Sequence, residues 1–381
     1  MGLAVVLVAA AAGPVTAAAS STTAPPAPGP LQREVDDIHG TGPVGVLAEV
    51  RSSDPRRHTG DARRQARAGT AEPGSGRPVP WGGKFRIGSA TKTFTATVVL
   101  QLVAEGRMSL DDTVERWLPG VVRGAGLHGD RITVRQLLQH TSGIPEVEGD
   151  IPALNSAEGY RAERWRTYSP EELVALALRH SRGAASKGTW AYSNTNYILA
   201  GMIIKKVTGR SWAREVNARI IRPLRLRDTS TPGSFPFITG PHAHGYRAFG
   251  TGTAIDVTAF NPSAVDASGS VISTARDLSR FYTALLGGRL LDSARLAEMK
   301  RTVPAPELGG DYGLGLGKLP LPCGGSYFAH VGGVSGYRTW VGVTPDGSRT
   351  AVVLVTGDGN DRTMGSISTL VQRELCRDEQ P

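Results

Sequence analysis

Ser89 and Lys92 stand three residues apart at the head of a largely apolar helical stretch that runs through Val103. That spacing puts two side chains on one face of a helix, here an amine one turn from a hydroxyl. The helix start is also where free backbone N–H groups and the dipole favour negative charge. A serine hydroxyl attacks only when a base takes its proton, and a lysine kept dry can lose its own proton to become that base. Tyr192 and Asn194 form a second group. Two apart in an extended segment, they point the same way; the phenol can relay a proton and the amide can orient a substrate amide. The third group is His330-Val331-Gly332-Gly333, at the end of a strand-like run. Glycines there let a substrate backbone lie along the strand edge. The N–H groups of Gly333 and Ser89 would together form an oxyanion hole. Each group also has a plain structural reading: an N-capping serine, a buried tyrosine beside an asparagine cap, and a structural histidine at a strand end.

The elements that must position these groups can be read from periodicity and caps. Leu31 to His39 reads as a helix and Val44 to Val50 as a short strand, whereas residues 51–80 carry no period and read as a loop region. Phe85-Arg86-Ile87 is strand-like before the Gly88 turn, and Gly106 closes the helix that follows. Another helical turn is expected to start at Ser109-Leu110-Asp111-Asp112, and further helices after the Thr133 cap to His140, from Ser169-Pro170 to His180, from Asn194 to Val207, and from Ser211 to Ile221. Thr274 and Asp277 have capping-box spacing ahead of Leu278 to Leu286. Three β-rich runs, Ser326 to Val331, Tyr337 to Val343 and Thr350 to Val355, read as an antiparallel meander before a closing helix from Met364 to Leu375. One sheet built from both chain ends with a helical insert accounts for this order.

At 381 residues, 40% of them hydrophobic, the chain can bury a large core. Leu3 to Ala12 is an uninterrupted apolar run followed by small-residue cleavage sites at Ala17 and Ala19, so residues 1–19 are expected to be a signal peptide. The basic residues that usually precede such a run are missing, so either translation starts upstream of Met1, which is the expectation, or the run is not a signal. The run is too short to span a bilayer, and no later segment reads as a membrane anchor. Residues 20–30 read as a disordered linker, 31–376 as one catalytic domain and 377–381 as a tail. Within the domain, 31–90 and 310–376 are expected to form the α/β part and 91–309 the mainly helical part. The net charge of +9 gathers at Arg51, Arg56, Arg57, Arg63, Arg64 and Arg67, but Asp54 and Asp61 interrupt the run and no aromatics are interleaved. It reads as a solvated hairpin or loop, not a nucleic-acid surface, although bulk charge favours adsorption to an anionic cell envelope. The two cysteines, Cys323 and Cys376, fit neither a zinc ribbon nor a redox motif; in an exported chain a disulfide is expected to tie the last helix to the sheet.

In order and spacing, Ser-x-x-Lys, Tyr-Ser-Asn and His-x-Gly resemble the serine β-lactamase and penicillin-binding superfamily, most of all the secreted D-alanyl-D-alanine carboxypeptidases that group with class C β-lactamases. Ile132 through Pro145, Tyr192 through Gly201 and Gly269 through Thr274 also look like family segments. The resemblance implies the β-lactamase/transpeptidase-like α/β (α+β) fold, an antiparallel sheet flanked by helices beside an all-α region. It implies Ser89 as acylated nucleophile, Lys92 and Tyr192 sharing proton transfer, and Asn194 and His330 binding substrate beside Gly332 and Gly333. Ser89 and Gly333 would supply the oxyanion hole. No cofactor or metal is implied, and the expected partners are a peptidoglycan stem peptide or other small acyl substrate and β-lactams, met by a monomer in the extracellular cell envelope. A class C-like β-lactamase or an esterase of the same fold stays open, as does a silent peptidoglycan-binding module. A conventional α/β-hydrolase would need a Gly-x-Ser-x-Gly that the sequence lacks, and a zinc hydrolase would rest on His242 and His244. One departure stands out: Val331 occupies a position where relatives often carry a hydroxyl that binds a carboxylate. That puts strict recognition of a C-terminal carboxylate in doubt, because one charge-assisted hydrogen bond is worth about 1.5–3 kcal/mol.

Overall fold

Along the strand Gly45–Ser52, Val46, Ala48 and Val50 turn to one side and Leu47 to the other, and all four are buried. The sheet therefore carries an apolar layer on each face. The structure, a computed structural model, describes residues 1–2, 28–52, 62–124, 126–180, 188–250 and 252–377. Its principal elements in chain order are α1 (Pro30–His39), β1 (Gly45–Ser52), β2 (Ala62–Gly69), β3 (Phe85–Arg86), α2 (Thr91–Ala104), α3 (Val134–Leu138), α4 (Pro170–Leu178) and α5 (Asn194–Thr208). There follow β4 (Ile272–Ser273), α6 (Ala275–Leu286), β5 (Val303–Ala305), β6 (Gly310–Tyr312), β7 (Gly317–Pro320), β8 (Ser326–Val334), β9 (Tyr337–Val343), β10 (Arg349–Thr356) and α7 (Asp361–Cys376).

The main sheet has eight antiparallel strands in the order β2-β1-β10-β9-β8-β7-β6-β5, so the two ends of the chain meet at the β1–β10 seam. Leu31, Val35 and Ile38 of α1 and Ile367, Leu370 and Val371 of α7 cover one face. The helical region covers the other, and at its centre α2 is buried at every residue from Thr91 to Leu100. A helix apolar all round belongs inside a core, so α2 is the rigid post from which the Ser89 turn projects. The Cys323–Cys376 disulfide joins the turn before β8 to the end of α7, as expected.

Four expectations need revising. Residues 62–69 form a strand: β2 pairs with β1 along its whole length and puts Arg51 opposite Arg63. An edge strand rich in arginine escapes recognition because it buries almost nothing, only Ala66 fully, and charges on an edge discourage pairing with other chains. Ser109 to Asp112 is a turn; the helix starts later, at Val114, where Thr113 caps Arg116 N–H. The helix after Ser211 changes to π-type from Asn217 to Ile221. Thr274 caps α6, but the Asp277 carboxylate bonds the Asp228 N–H and the Thr229 hydroxyl instead of completing a box. The cleavage sites, most of the 20–30 linker, Arg56, Arg57 and the tail beyond 377 lie outside the described residues. Among those described, no helix is long and apolar enough to cross a membrane.

Candidate active site

Ser89 sits in a single 3₁₀ turn, Gly88–Ala90, that leads directly into α2. The turn is pressed against the end of β8. Gly88 has φ +51°, and a Cβ on it would lie 2.7 Å from the Gly333 backbone. A Cβ on Gly332 would overlap the Ile87 carbonyl. Only glycine on both sides permits this approach, which holds the Ser89 and Gly333 backbones together. Ser89 is half-buried and Gly333 exposed, so both can be reached from solvent.

One turn on, Lys92 is fully buried. Its Nζ contacts Ser89 Oγ at 3.1 Å, Asn194 Oδ1 at 2.5 Å and the Ser268 carbonyl at 3.0 Å. Desolvation pulls its pKa down to about 7 against the opposing charges of Glu146 and Glu148. Two of its three partners, an amide oxygen and a carbonyl, only accept hydrogen bonds. In the neutral amine they take both N–H groups, and the lone pair is left facing the Ser89 hydroxyl.

Tyr192 lies beside this pair. Its phenol hydrogen-bonds Ser89, its ring is 4.8 Å from Lys92 Nζ, and burial pushes its pKa up. It is held from behind by His140, a residue the motif reading passed over. The His140 ring lies 4.3 Å from that of Tyr192. Its carbonyl accepts from Ala191 N–H and its Nδ1 from Ser193 N–H, so the backbone is pinned on both sides of the tyrosine. His140 has φ +59°, a costly conformation for a residue with a Cβ. The segments Ile132–Pro145 and Tyr192–Gly201 thus clasp each other, and Ser193 and Thr195 both bond the Pro145 carbonyl.

Asn194 opens α5. Its N–H donates to Glu146 and its Nδ2 to Glu148 Oε2 at 3.1 Å. Burial and Glu146 raise the pKa of Glu148. Neither glutamate belongs to the three motifs; their only signal is a Glu-Val-Glu run just after Pro145.

His330 is buried, with Nδ1 2.8 Å from the Val331 carbonyl and Nε2 3.0 Å from the Tyr312 hydroxyl. The carbonyl fixes the proton on Nδ1, so Nε2 accepts from Tyr312. Desolvation lowers its pKa to about 3. It is a neutral ring with neither a charge nor a free N–H for a carboxylate. Beyond it, Val331, Leu308, Leu319, Trp340 and Tyr192 line an apolar cavity of about 280 Å³ beside β8. The structure thus brings Ser89, Lys92, Tyr192 and Asn194 into one hydrogen-bonded cluster against Gly332-Gly333, with His330 one layer behind. His242 and His244 lie elsewhere, engaged with the Gly240 carbonyl and Asp256.

Residues 57–373 match the family described as Beta-lactamase. The chain belongs to the beta-lactamase family. Within this family, a D-stereospecific amidohydrolase from Streptomyces sp. is 40% identical, with a TM-score of 0.81 over 91% of this chain and 98% of that one. The D-amino acid amidase from Ochrobactrum anthropi SV3, solved with L-phenylalanine amide, is 28% identical, with a TM-score of 0.78 over 92% of this chain and 98% of that one. A penicillin-binding protein of Bacillus subtilis is 27% identical over 304 residues, 75% of this chain. The chain spans 63% of the length of that relative. This member of the beta-lactamase family has the fold of the penicillin-binding and amidase structures it resembles.

Proposed function

We propose that the enzyme hydrolyses amides of D-amino acids that carry a free α-amine and an apolar side chain, through an acyl-enzyme on Ser89. The observation that carries this reading is the charge around Asn194: a carboxylate, Glu148, stands beside it, and His330 is neutral. A substrate ammonium would meet Glu148, its amide would meet Asn194, and its side chain would enter the cavity beside Val331. The D-amino acid amidase and D-stereospecific amidohydrolase neighbours support the same class.

In this reading Lys92 takes the Ser89 proton as Oγ bonds to the substrate carbonyl carbon. The N–H groups of Ser89 and Gly333 hold the tetrahedral oxyanion. The proton on Lys92 returns through the Tyr192 hydroxyl to the departing nitrogen, which leaves as ammonia. Water then attacks the acyl-enzyme, giving the free amino acid and restoring Ser89. A phenol that resists ionisation suits a relay, and an amine with its pKa near 7 suits a base.

A second reading, D-alanyl-D-alanine carboxypeptidase, draws on one guanidinium. Arg338 lies directly across from Gly333 and against it, so a Cβ there would overlap its side chain. Turnover of D-phenylalanine amide, L-phenylalanine amide and a D-Ala-D-Ala peptide separates the two, with intact-mass measurement of penicillin acylation on wild type and Ser89→Ala. Preference for the D-amide, with Ser89→Ala inert and unacylated, supports the amidase. Preference for the peptide, lost in Arg338→Ala and improved in Val331→Thr, replaces it with the carboxypeptidase. We also propose export through residues 1–19, supported by their apolar run and by the disulfide; sequencing the N-terminus of protein recovered outside the cell tests it.

A further inference from the structure

Far along the sheet from β8, the seam between β1 and α6 departs from the apolar packing seen elsewhere. Period-two alternation places Glu49 and Arg51 on the face of β1 that meets α6, and the register sets Arg63 of β2 directly opposite Arg51. Like charges directly opposite in a sheet repel. On α6, Arg276 and Arg280 are four apart and share one face. These four arginines and Arg289 line one cavity of about 600 Å³ together with Glu49. Five arginines therefore share the cavity lining with one carboxylate, Glu49, while Asp277 lies within electrostatic reach of Arg280. Glu49 is already engaged by Arg63 at 3.1 Å and Gln65 at 2.8 Å. Arg280 donates to the Leu224 carbonyl at 2.9 Å. The side chains of Arg276 and Arg289, both exposed, make no hydrogen bond or ion pair with any described residue.

We propose that this cavity is a binding site for an anion bearing more than one phosphate group. Guanidinium is planar, permanently charged and matched in geometry to phosphate oxygens, two N–H groups to one phosphate. The volume exceeds what a single phosphate fills and lies in the range of small-molecule sites. A multivalent anion in the cavity would occupy the two partnerless guanidiniums of Arg276 and Arg289. The same phosphate chemistry is offered by a soluble polyphosphate and by a phospholipid surface.

The test is calorimetric titration of the full-length protein with sodium tripolyphosphate at physiological salt, alongside co-sedimentation with phosphatidylglycerol/phosphatidylcholine vesicles. Saturable binding is expected, weakened about tenfold or more in Arg276→Ala/Arg289→Ala. The variant Arg131→Ala/Arg214→Ala, with equal charge removed elsewhere, is expected to bind like wild type. Thermal melting of both variants checks that they fold. Tripolyphosphate binding alone identifies a soluble ligand, and vesicle binding that depends on Arg276 and Arg289 identifies a membrane surface. Absence of saturable binding to either probe, or equal weakening in the two double variants, overturns the proposal.

Discussion

Lys92 needs a proton for three hydrogen bonds and must lack it to act, and burial decides between the two states. Its pKa of about 7 leaves a large share of the amine neutral at neutral pH. The neutral form is the active one, so acylation should rise about tenfold per pH unit below the inflection and level off above it. Glu146 and Glu148 hold this pKa up, so Glu148→Gln should move the inflection to lower pH. The rate of penicillin acylation across pH reports it without involving the substrate amine. An unmoved or raised inflection would mean that Lys92 is not the titrating base. The same carboxylate has a different part in amide turnover, where Glu148→Gln should raise KM for a D-amino acid amide. His140 acts one layer further back: it touches no proposed reacting atom but fixes the backbone on either side of the phenol.

The contact between the Gly88–Ala90 turn and β8 is what makes separate elements into a site. Gly332→Ala would force that turn away from the strand, because the new methyl group overlaps the Ile87 carbonyl. Losing one oxyanion donor costs about 10²–10³ in rate, and a loss of that size is expected in acylation; circular dichroism would check that the variant folds. A variant acylating at the wild-type rate would remove Gly333 from the mechanism. Elements with strong periods or caps were legible in the sequence: α2 and α5 by their apolar runs, α3 by its Thr133 cap, which the structure shows completed into a capping box by Gln136, and β8–β10 by β-branched residues between turns. The three motifs were legible because the chemistry demands those residue types. What escaped recognition has no local signature. β2 is polar because it is an edge, and His140 matters through tertiary stacking. Glu146 and Glu148 sit in a loop whose position only the clasp with α5 determines. The neutrality of His330 depends on burial and on Tyr312, which pairs with it from another strand.

At the scale of the whole molecule, the sheet is closed by residues from both ends of the described chain and fastened by Cys323–Cys376, a crosslink spanning 53 residues. Replacing both cysteines by serine should cost about 2–4 kcal/mol of unfolding free energy, measured by denaturant titration. Reducing the wild type should reproduce that shift, and equal stability of the two forms would show that the crosslink only decorates a seam already secured by α7. The net charge of +9 is unevenly spread, with five arginines around one cavity on the β1–α6 seam. The antiparallel closure also sets the order of events in biosynthesis. Ser89 and Lys92 are made early, whereas the strand that completes their pocket comes more than two hundred residues later. A growing polypeptide thus holds its nucleophile for most of its synthesis without the partner that would make it reactive. The oxyanion hole is complete only when β8 has paired beside the Ser89 turn, so acylation is expected to require the late strands in place.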